Sequence, residues 1–162
     1  MPVHPTASNL RRRCLHESPQ RLVWLRPDPE DGGAEVHKLY LSGATDDAAH
    51  EARMGALCAG AGVVPYLGAG RDEESGRPLV QQRFVPGQSL EALALERGAL
   101  PASRALALIL RVAATLTRLH ELRTAATARG VCHGDVKPQN LLVTADDDVL
   151  LLVMATPEPL AR

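Results

Sequence analysis

Four polar side chains that could carry chemistry lie close together in residues 133–140: His133, Asp135, Lys137 and Asn140. A carboxylate can accept or orient the proton of a nucleophile, and an ammonium group can neutralise charge on a transferred phosphoryl group. A side-chain amide oxygen can bind a magnesium ion. The apolar run 141–143 follows directly, so we predict a reactive loop that leads into a buried strand.

A second candidate cation stands far upstream of this loop. The chain has 18 lysines and arginines, and lysine occurs only at Lys38 and Lys137. A compact ammonium and a planar guanidinium are not interchangeable, so a lysine in an arginine-rich chain indicates a site that needs the ammonium. Residues 35–41, which contain Lys38, alternate between polar and apolar and predict a strand with one buried face.

The elements that must position these groups are predicted from hydrophobic period, caps and turn residues. Three strands, a helix and two further strands come first, and a short helix then begins after Ser89, a natural N-cap. The strands are predicted at 10–15, 21–25, 35–41, 63–68 and 78–85, the first helix at 46–59, and the short helix ends near residue 97.

The strongest helix is predicted over residues 101–122. Its apolar residues recur at three- and four-residue steps, which predicts one buried stripe: Leu106, Ile109, Val112, Leu116 and Leu119. Two strands at 141–144 and 149–154 complete the order. Asp146, Asp147 and Asp148 lie between them and are interpreted as a solvated hairpin turn rather than a metal site.

Residues 133–140, with the sequence HGDVKPQN, resemble the catalytic loop of protein kinases, whose pattern is H-R-D-L-x-x-x-N. The resemblance covers roughly residues 20–155. It implies an α+β fold of the kinase two-lobe type, with a complete N-terminal β-sheet lobe carrying one helix and a truncated, mainly helical C-terminal lobe. The implied domains are a flexible arm at 1–9, an N-lobe-like region at 10–85 and a partial C-lobe-like region at 86–162.

The resemblance assigns catalytic and phosphate-binding roles to four residues. Asp135 is implied as the catalytic carboxylate and Lys137 as the cation that faces the transferred group. Lys38, on the third strand, is implied to hold the α and β phosphates of ATP. Glu51, on the following helix, is implied as its ion-pair partner.

Further roles follow from the register of the resemblance. Gln82 takes the gatekeeper position, and Arg83 to Val85 take the hinge, where adenine binds through backbone groups. Asn140 is implied as a ligand of Mg²⁺, and His133 as a structural residue that holds the loop. ATP and Mg²⁺ are therefore the implied cofactors.

The sequence departs from the kinase pattern at three places. The turn at 16–20 contains Glu17 and no glycine, whereas kinases have a glycine-rich loop between their first two strands. Gly134 stands where the family usually has arginine. Val153 falls at the position of the aspartate that binds the principal metal ion, and valine cannot coordinate magnesium, so the implied Mg²⁺ site lacks its principal carboxylate.

The sequence therefore favours a degenerate kinase-like domain, a pseudokinase or kinase fragment with residual ATP binding. Two alternatives stay open: an active Ser/Thr protein kinase with an atypical metal site, and a small-molecule phosphotransferase, which the His-Gly-Asp sequence suggests. A nucleotide and a protein partner covering the truncated lobe are the expected partners. A net charge of −1 and the lack of a long apolar run argue against nucleic-acid and membrane binding and predict a cytoplasmic protein.

Overall fold

The structure is a computed structural model that describes residues 13–27, 33–41, 45–123 and 130–152. The chain divides into two compact units, which are described one at a time. One takes in the described parts of Met1–Ala48 and Leu67–Phe84, and the other those of Ala49–Tyr66 and Val85–Arg162. The first helix, α1 (Thr45–Leu57), crosses this division, so its later turns belong with the second unit.

A five-stranded sheet forms the first unit, in the order β1-β2-β3-β5-β4. The strands β1 to β3 form a meander, and β3 then pairs antiparallel with β5. Its strands are β1 (Arg13–Glu17), β2 (Arg21–Pro27), β3 (Ala34–Tyr40), β4 (Tyr66–Arg71) and β5 (Pro78–Arg83). Trp24, Leu39 and Leu79 are buried together on it.

The β1–β2 turn is short and closed. Ser18 and Arg21 exchange backbone hydrogen bonds of 2.9 and 3.3 Å, and the Ser18 hydroxyl accepts a further bond of 3.1 Å from the Arg21 N–H. Only Pro19 and Gln20 lie between them. The predicted glycine-free turn is therefore a tight, side-chain-braced hairpin.

The second unit is built around an apolar core and a small sheet with the order β6-β7-β8. Its elements are β6 (Gln88–Ser89), α2 (Leu90–Arg97), α3 (Ala102–Glu121), β7 (Leu141–Val143) and β8 (Val149–Leu151). Buried residues of α1, α2, α3, β7 and β8 share one cluster, which includes Met54, Leu93, Leu119 and Leu151. Ser89 caps α2 as predicted, because its hydroxyl accepts the Ala92 N–H at 3.1 Å.

The predicted strand at 63–68 is wrong in its position. The strand begins at Tyr66, and Val63 instead forms an isolated parallel bridge with Leu151. The Val64 N–H donates to the Leu151 carbonyl at 2.9 Å, and the Leu151 N–H donates to the Gly62 carbonyl at 3.0 Å. Pro65 separates the two pairings, since proline has no N–H to continue a strand ladder.

The predicted buried stripe of the long helix is also wrong in part. Leu119 is buried and Val112 and Leu116 are half-buried, but Leu106 and Ile109 are 57% and 63% exposed. The buried face of α3 carries Leu108, Thr115 and Leu119 instead. Because α3 is apolar on most of its circumference, hydrophobic spacing alone could not identify the buried face.

Three arginines at seven-residue spacing orient α3. The Arg104 guanidinium pairs with Asp147 at 2.6 Å, and Arg111 pairs with Asp148 at 3.3 Å. Arg118 donates to the Ala61 carbonyl at 3.2 Å. The aspartate turn between β7 and β8 is therefore a hairpin turn, as predicted, but two of its carboxylates bind α3.

Leu106, Ile109 and Leu110 leave an apolar surface exposed on α3. It borders a groove of about 350 Å³ lined by aliphatic side chains from α2, α3, β7 and β8. In the described parts of the chain, no helix is both long enough and apolar enough to span a membrane.

Substitutions at two leucines of α3 are expected to differ strongly in their effect on stability. Leu108 is 2% exposed and lies in the core, so Leu108→Ala is expected to lower the free energy of unfolding by about 2–5 kcal/mol. Leu106→Ala, on the exposed face, is expected to change it by less than about 0.5 kcal/mol. Urea unfolding of the two variants measures both values, and equal losses would show that the helix is rotated from this arrangement.

Candidate catalytic loop

The loop at 130–140 is held at its start by the end of α3. The Val131 N–H donates to the Leu119 carbonyl at 2.9 Å, and Val131 is buried. Gly130 and Gly134 both have positive φ, 85° and 75°, a conformation that favours glycine. The loop closes with a short 3₁₀ turn, Pro138–Asn140, in which the Asn140 N–H donates to the Lys137 carbonyl at 2.8 Å.

Asp135 lies at the centre of the loop, and two side chains bind its carboxylate. The Lys137 ammonium lies 2.9 Å from Oδ2, and the Asn140 Nδ2 donates to the same oxygen at 2.8 Å. The hydrogen bond from Lys137 is the main cause that lowers the pKa of Asp135 below its ordinary value, and the bond from Asn140 adds to it. At neutral pH Asp135 is therefore a carboxylate, able to accept a hydrogen bond from a substrate hydroxyl.

Asn140 is buried and ties the loop together. Its Nδ2 also donates to the backbone carbonyl of Asp135 at 2.8 Å. The backbone carbonyl of Asn140 accepts the Leu152 N–H at 2.9 Å. The amide nitrogen is thus committed to Asp135, which leaves the Oδ1 oxygen as the atom of this side chain suited to a cation.

His133 bridges the loop and the end of β8. It is buried, its Nε2 lies 2.8 Å from the Leu152 carbonyl, and its Nδ1 lies 3.4 Å from the Asp135 N–H. This is the structural role predicted for His133, and it involves the residue immediately before Val153.

Only one of the two implied magnesium ligands lies among the described residues. Asn140 supplies one amide oxygen, while Val153, the second implied position, has no side-chain donor and lies outside the described residues. Among the residues that the structure describes, no group of three or more His, Cys, Asp or Glu could hold a metal ion. The weakened magnesium site inferred from Val153 stays a prediction from the sequence.

The other predicted site residues are distributed between the two units. Lys38 is buried on β3 in the first unit, in register with Val23 and Val80. Gln82 is buried on β5 of the same sheet. In the second unit Glu51 is fully buried on α1.

Arg83 is half-buried at the end of β5, and Val85 is half-buried just beyond it. The pairing of Lys38 with Glu51 and the hinge role of residues 82–85 stay predictions.

One polar contact at the loop was not predicted from the sequence. The Gln139 Nε2 donates to the Glu91 carboxylate of α2 at 2.5 Å. The two residues are 48 positions apart, and both are exposed, so no local pattern relates them. The role of the Leu152 backbone carbonyl as an acceptor was also not predicted, because every residue has a backbone carbonyl and the sequence does not mark this one.

Comparison with known proteins identifies related sequences. The chain is 37% identical over 121 residues to serine/threonine-protein kinase PknD of Mycobacterium tuberculosis H37Rv, an alignment covering 71% of this chain and 17% of that protein. It is 36% identical over 102 residues to serine/threonine-protein kinase PknH of Mycobacterium bovis, covering 63% and 16%. It is 36% identical over 90 residues to serine/threonine-protein kinase PknE of Mycobacterium tuberculosis H37Ra, covering 56% and 14%. No protein-family model matches the chain.

Removing the Lys137 ammonium should raise the pKa of Asp135. Because its folded-state pKa is lowered, Asp135 contributes stability that is present above the unfolded-state pKa and is lost as pH falls through the folded-state pKa. In Lys137→Met we expect a higher pKa and a smaller loss of stability on acidification. Carboxyl ¹³C NMR titration measures the pKa. Arg111→Met, which removes a cation that pairs with Asp148, is the control and should leave the Asp135 pKa unchanged.

Proposed function

Because the chain belongs to the protein kinase-like superfamily, we propose that it is a degenerate Ser/Thr-kinase-like domain that binds a nucleotide without efficient phosphoryl transfer. The observation that carries the proposal is an assembled Asp135–Lys137–Asn140 loop combined with Val153 at the position of the metal carboxylate. The chain covers only 17% of the length of PknD, so the activity of that whole protein is not transferred to it.

The proposed ligand is ATP, bound in a kinase-type two-lobe arrangement. In this proposal Lys38 contacts the phosphates and is paired with Glu51, and the backbone of residues 82–85 contacts the adenine. The burial of Lys38 and Glu51 supports these roles, because charged side chains are seldom buried unless they are paired. Lys137, on the exposed side of the loop, is the proposed cation for the terminal phosphate.

Two features of the sequence and structure oppose efficient transfer. Phosphoryl transfer depends on neutralising the charge that the phosphates carry in the transition state, and Val153 offers no oxygen to a metal ion. The braced β1–β2 hairpin also lacks glycine, and Glu17 on it adds a negative charge. The first feature acts on the transfer step, and the second weakens contact with the phosphates, so both oppose efficient phosphoryl transfer.

An active Ser/Thr protein kinase is the second candidate, because the hydrogen bonds around Asp135 are complete without the metal carboxylate. The hypothesis of a small-molecule phosphotransferase rests only on the sequence His133-Gly134-Asp135. It is weakened by the same missing metal carboxylate at position 153. We propose that the expected protein partner contacts the apolar surface of α3. We also propose a cytoplasmic location for the protein.

Nucleotide binding tests the proposal directly. By isothermal titration calorimetry, ATP is expected to bind with the same Kd, within about twofold, in Mg²⁺ and in EDTA. Lys38→Met is expected to weaken binding by about tenfold or more, equivalent to about 1.4 kcal/mol. Arg26→Met, on the same sheet, is the control. Tight binding that requires Mg²⁺ in the natural sequence would contradict the proposal.

A gain-of-function substitution tests the metal argument. Val153→Asp is expected to make ATP binding tighter in Mg²⁺ than in EDTA, because a carboxylate joins the Asn140 amide oxygen as a cation ligand. Val153→Leu is the control and should behave as the natural sequence does. Phosphate transfer to a protein substrate by the natural sequence, abolished by Lys38→Met, would establish the active-kinase alternative instead.

A further inference from the structure

The outward side of α3 carries an uncharged face that runs along most of the helix. Its residues lie at steps of three and four, the spacing of one helical stripe. All of them are exposed: Ala102, Leu106, Ile109, Leu110, Ala113, Ala114 and Thr117. The three arginines of the helix bind Asp147, Asp148 and the Ala61 carbonyl on another side, so no charge falls on this face.

This face can lose its water without leaving a polar side chain unpaired. Thr117 is its polar residue, and the Thr117 hydroxyl already donates to the Ala113 carbonyl at 2.9 Å. The other side chains are aliphatic, and transfer of apolar surface out of water is favourable. The groove beside the face shares Ile109 and Ala113 with it, which widens the apolar surface that a second helix can cover.

The order of large and small side chains along the face is complementary to its own reverse. Three large aliphatic residues come first, and three small residues follow. When two such helices pack antiparallel about a two-fold axis near residues 111–112, each large residue lies opposite a small residue of the other copy. The facing pairs are Leu106 with Thr117, Ile109 with Ala114, and Leu110 with Ala113. Spacing of three and four favours helices that lie nearly antiparallel along their length, and a two-fold pair uses the same patch on both copies.

The two ends of the helix are also complementary in this arrangement. Pro101, the N-cap residue of α3, makes no side-chain cap bond, and the first turn has no acidic residue. Glu121 is exposed at the other end of the helix. The antiparallel pair places Glu121 of each copy beside Ala102 of the other, where the first backbone N–H groups and the helix dipole favour a carboxylate.

We propose that the exposed face of α3 is a contact between two copies of this chain, packed antiparallel about a two-fold axis. This names the partner in the proposed protein contact on α3 and rests on that part of the proposed function. From Ala102 to Thr117 the face is about 23 Å long. A single helix face of this length covers less than the roughly 800 Å² per partner of a standard stable interface, so the dimer dissociates at micromolar concentrations.

Sedimentation velocity of the full chain over a hundredfold range of micromolar concentrations tests the contact. The natural sequence is expected to change from monomer to dimer across this range. Leu110→Arg places two guanidinium groups beside the two-fold axis and is expected to weaken association by about tenfold or more. Leu95→Arg is the matched control, because Leu95 is an exposed leucine of α2, and should associate as the natural sequence does.

A mixture of two variants tests the antiparallel register. Ala113→Glu alone is expected to weaken association by a similar factor, since it places two carboxylates near the axis. In an equimolar mixture of the Leu110→Arg and Ala113→Glu chains, the introduced guanidinium of one chain faces the introduced carboxylate of the other. The mixture is therefore expected to form a heterodimer at concentrations where neither variant associates alone.

A chain that stays monomeric over the whole range would overturn the proposal in favour of a different protein as the partner. A dimer that Leu110→Arg leaves intact, or a mixture that does not recover association, would also overturn it. Urea unfolding checks that the variants fold, and if one does not, the other decides the question. None of these measurements requires nucleotide, so a failure of ATP binding counts against the nucleotide proposal and leaves this contact standing.

Discussion

The need to satisfy the backbone of β8 is the constraint on which the second unit depends. Buried backbone N–H and carbonyl groups must find partners, and β7 occupies one edge of this strand. The other edge is taken by the Gly62 carbonyl and the Val64 N–H, which bind Leu151. One residue later, both backbone groups of Leu152 bind the loop. The loop is thus the continuation of a hydrogen-bonding pattern that begins in the core.

This arrangement shows which groups of the chain hold Asp135. Its carboxylate receives a charged donor from Lys137 and a neutral one from Asn140, so the favourable interactions that lower its pKa come from the chain itself. The hydrogen bonds that hold the loop involve no side chain at position 153, so the geometry of the loop and the proposed loss of a metal ligand are separate questions.

Much of the fold could be predicted because its determinants are local. Alternation identified β3, the Ser89 hydroxyl identified the start of α2, and the spacing of polar groups at 133–140 identified the loop. The predictions were wrong where contacts between distant parts of the chain decide the structure. The buried face of α3 is selected by tertiary packing and by its arginine partners, since large aliphatic residues span about half of the helix circumference, and β4 is displaced because Val63 and Val64 bind β8 first. At the site, backbone acceptors such as the Leu152 carbonyl carry no sequence signal, and the Glu91–Gln139 contact joins distant segments.

The seven-residue spacing of Arg104, Arg111 and Arg118 has a rotational consequence. Each residue turns an α-helix by about 100°, so residues seven apart nearly eclipse one another. Rotating α3 by a single residue would therefore move all three guanidinium groups away from Asp147, Asp148 and the Ala61 carbonyl together. Such a rotation would also withdraw Leu108 and Leu119 from the core. The three arginine contacts and the buried leucines therefore favour the same rotation of the helix about its axis, the one that leaves Leu106 and Ile109 facing outward.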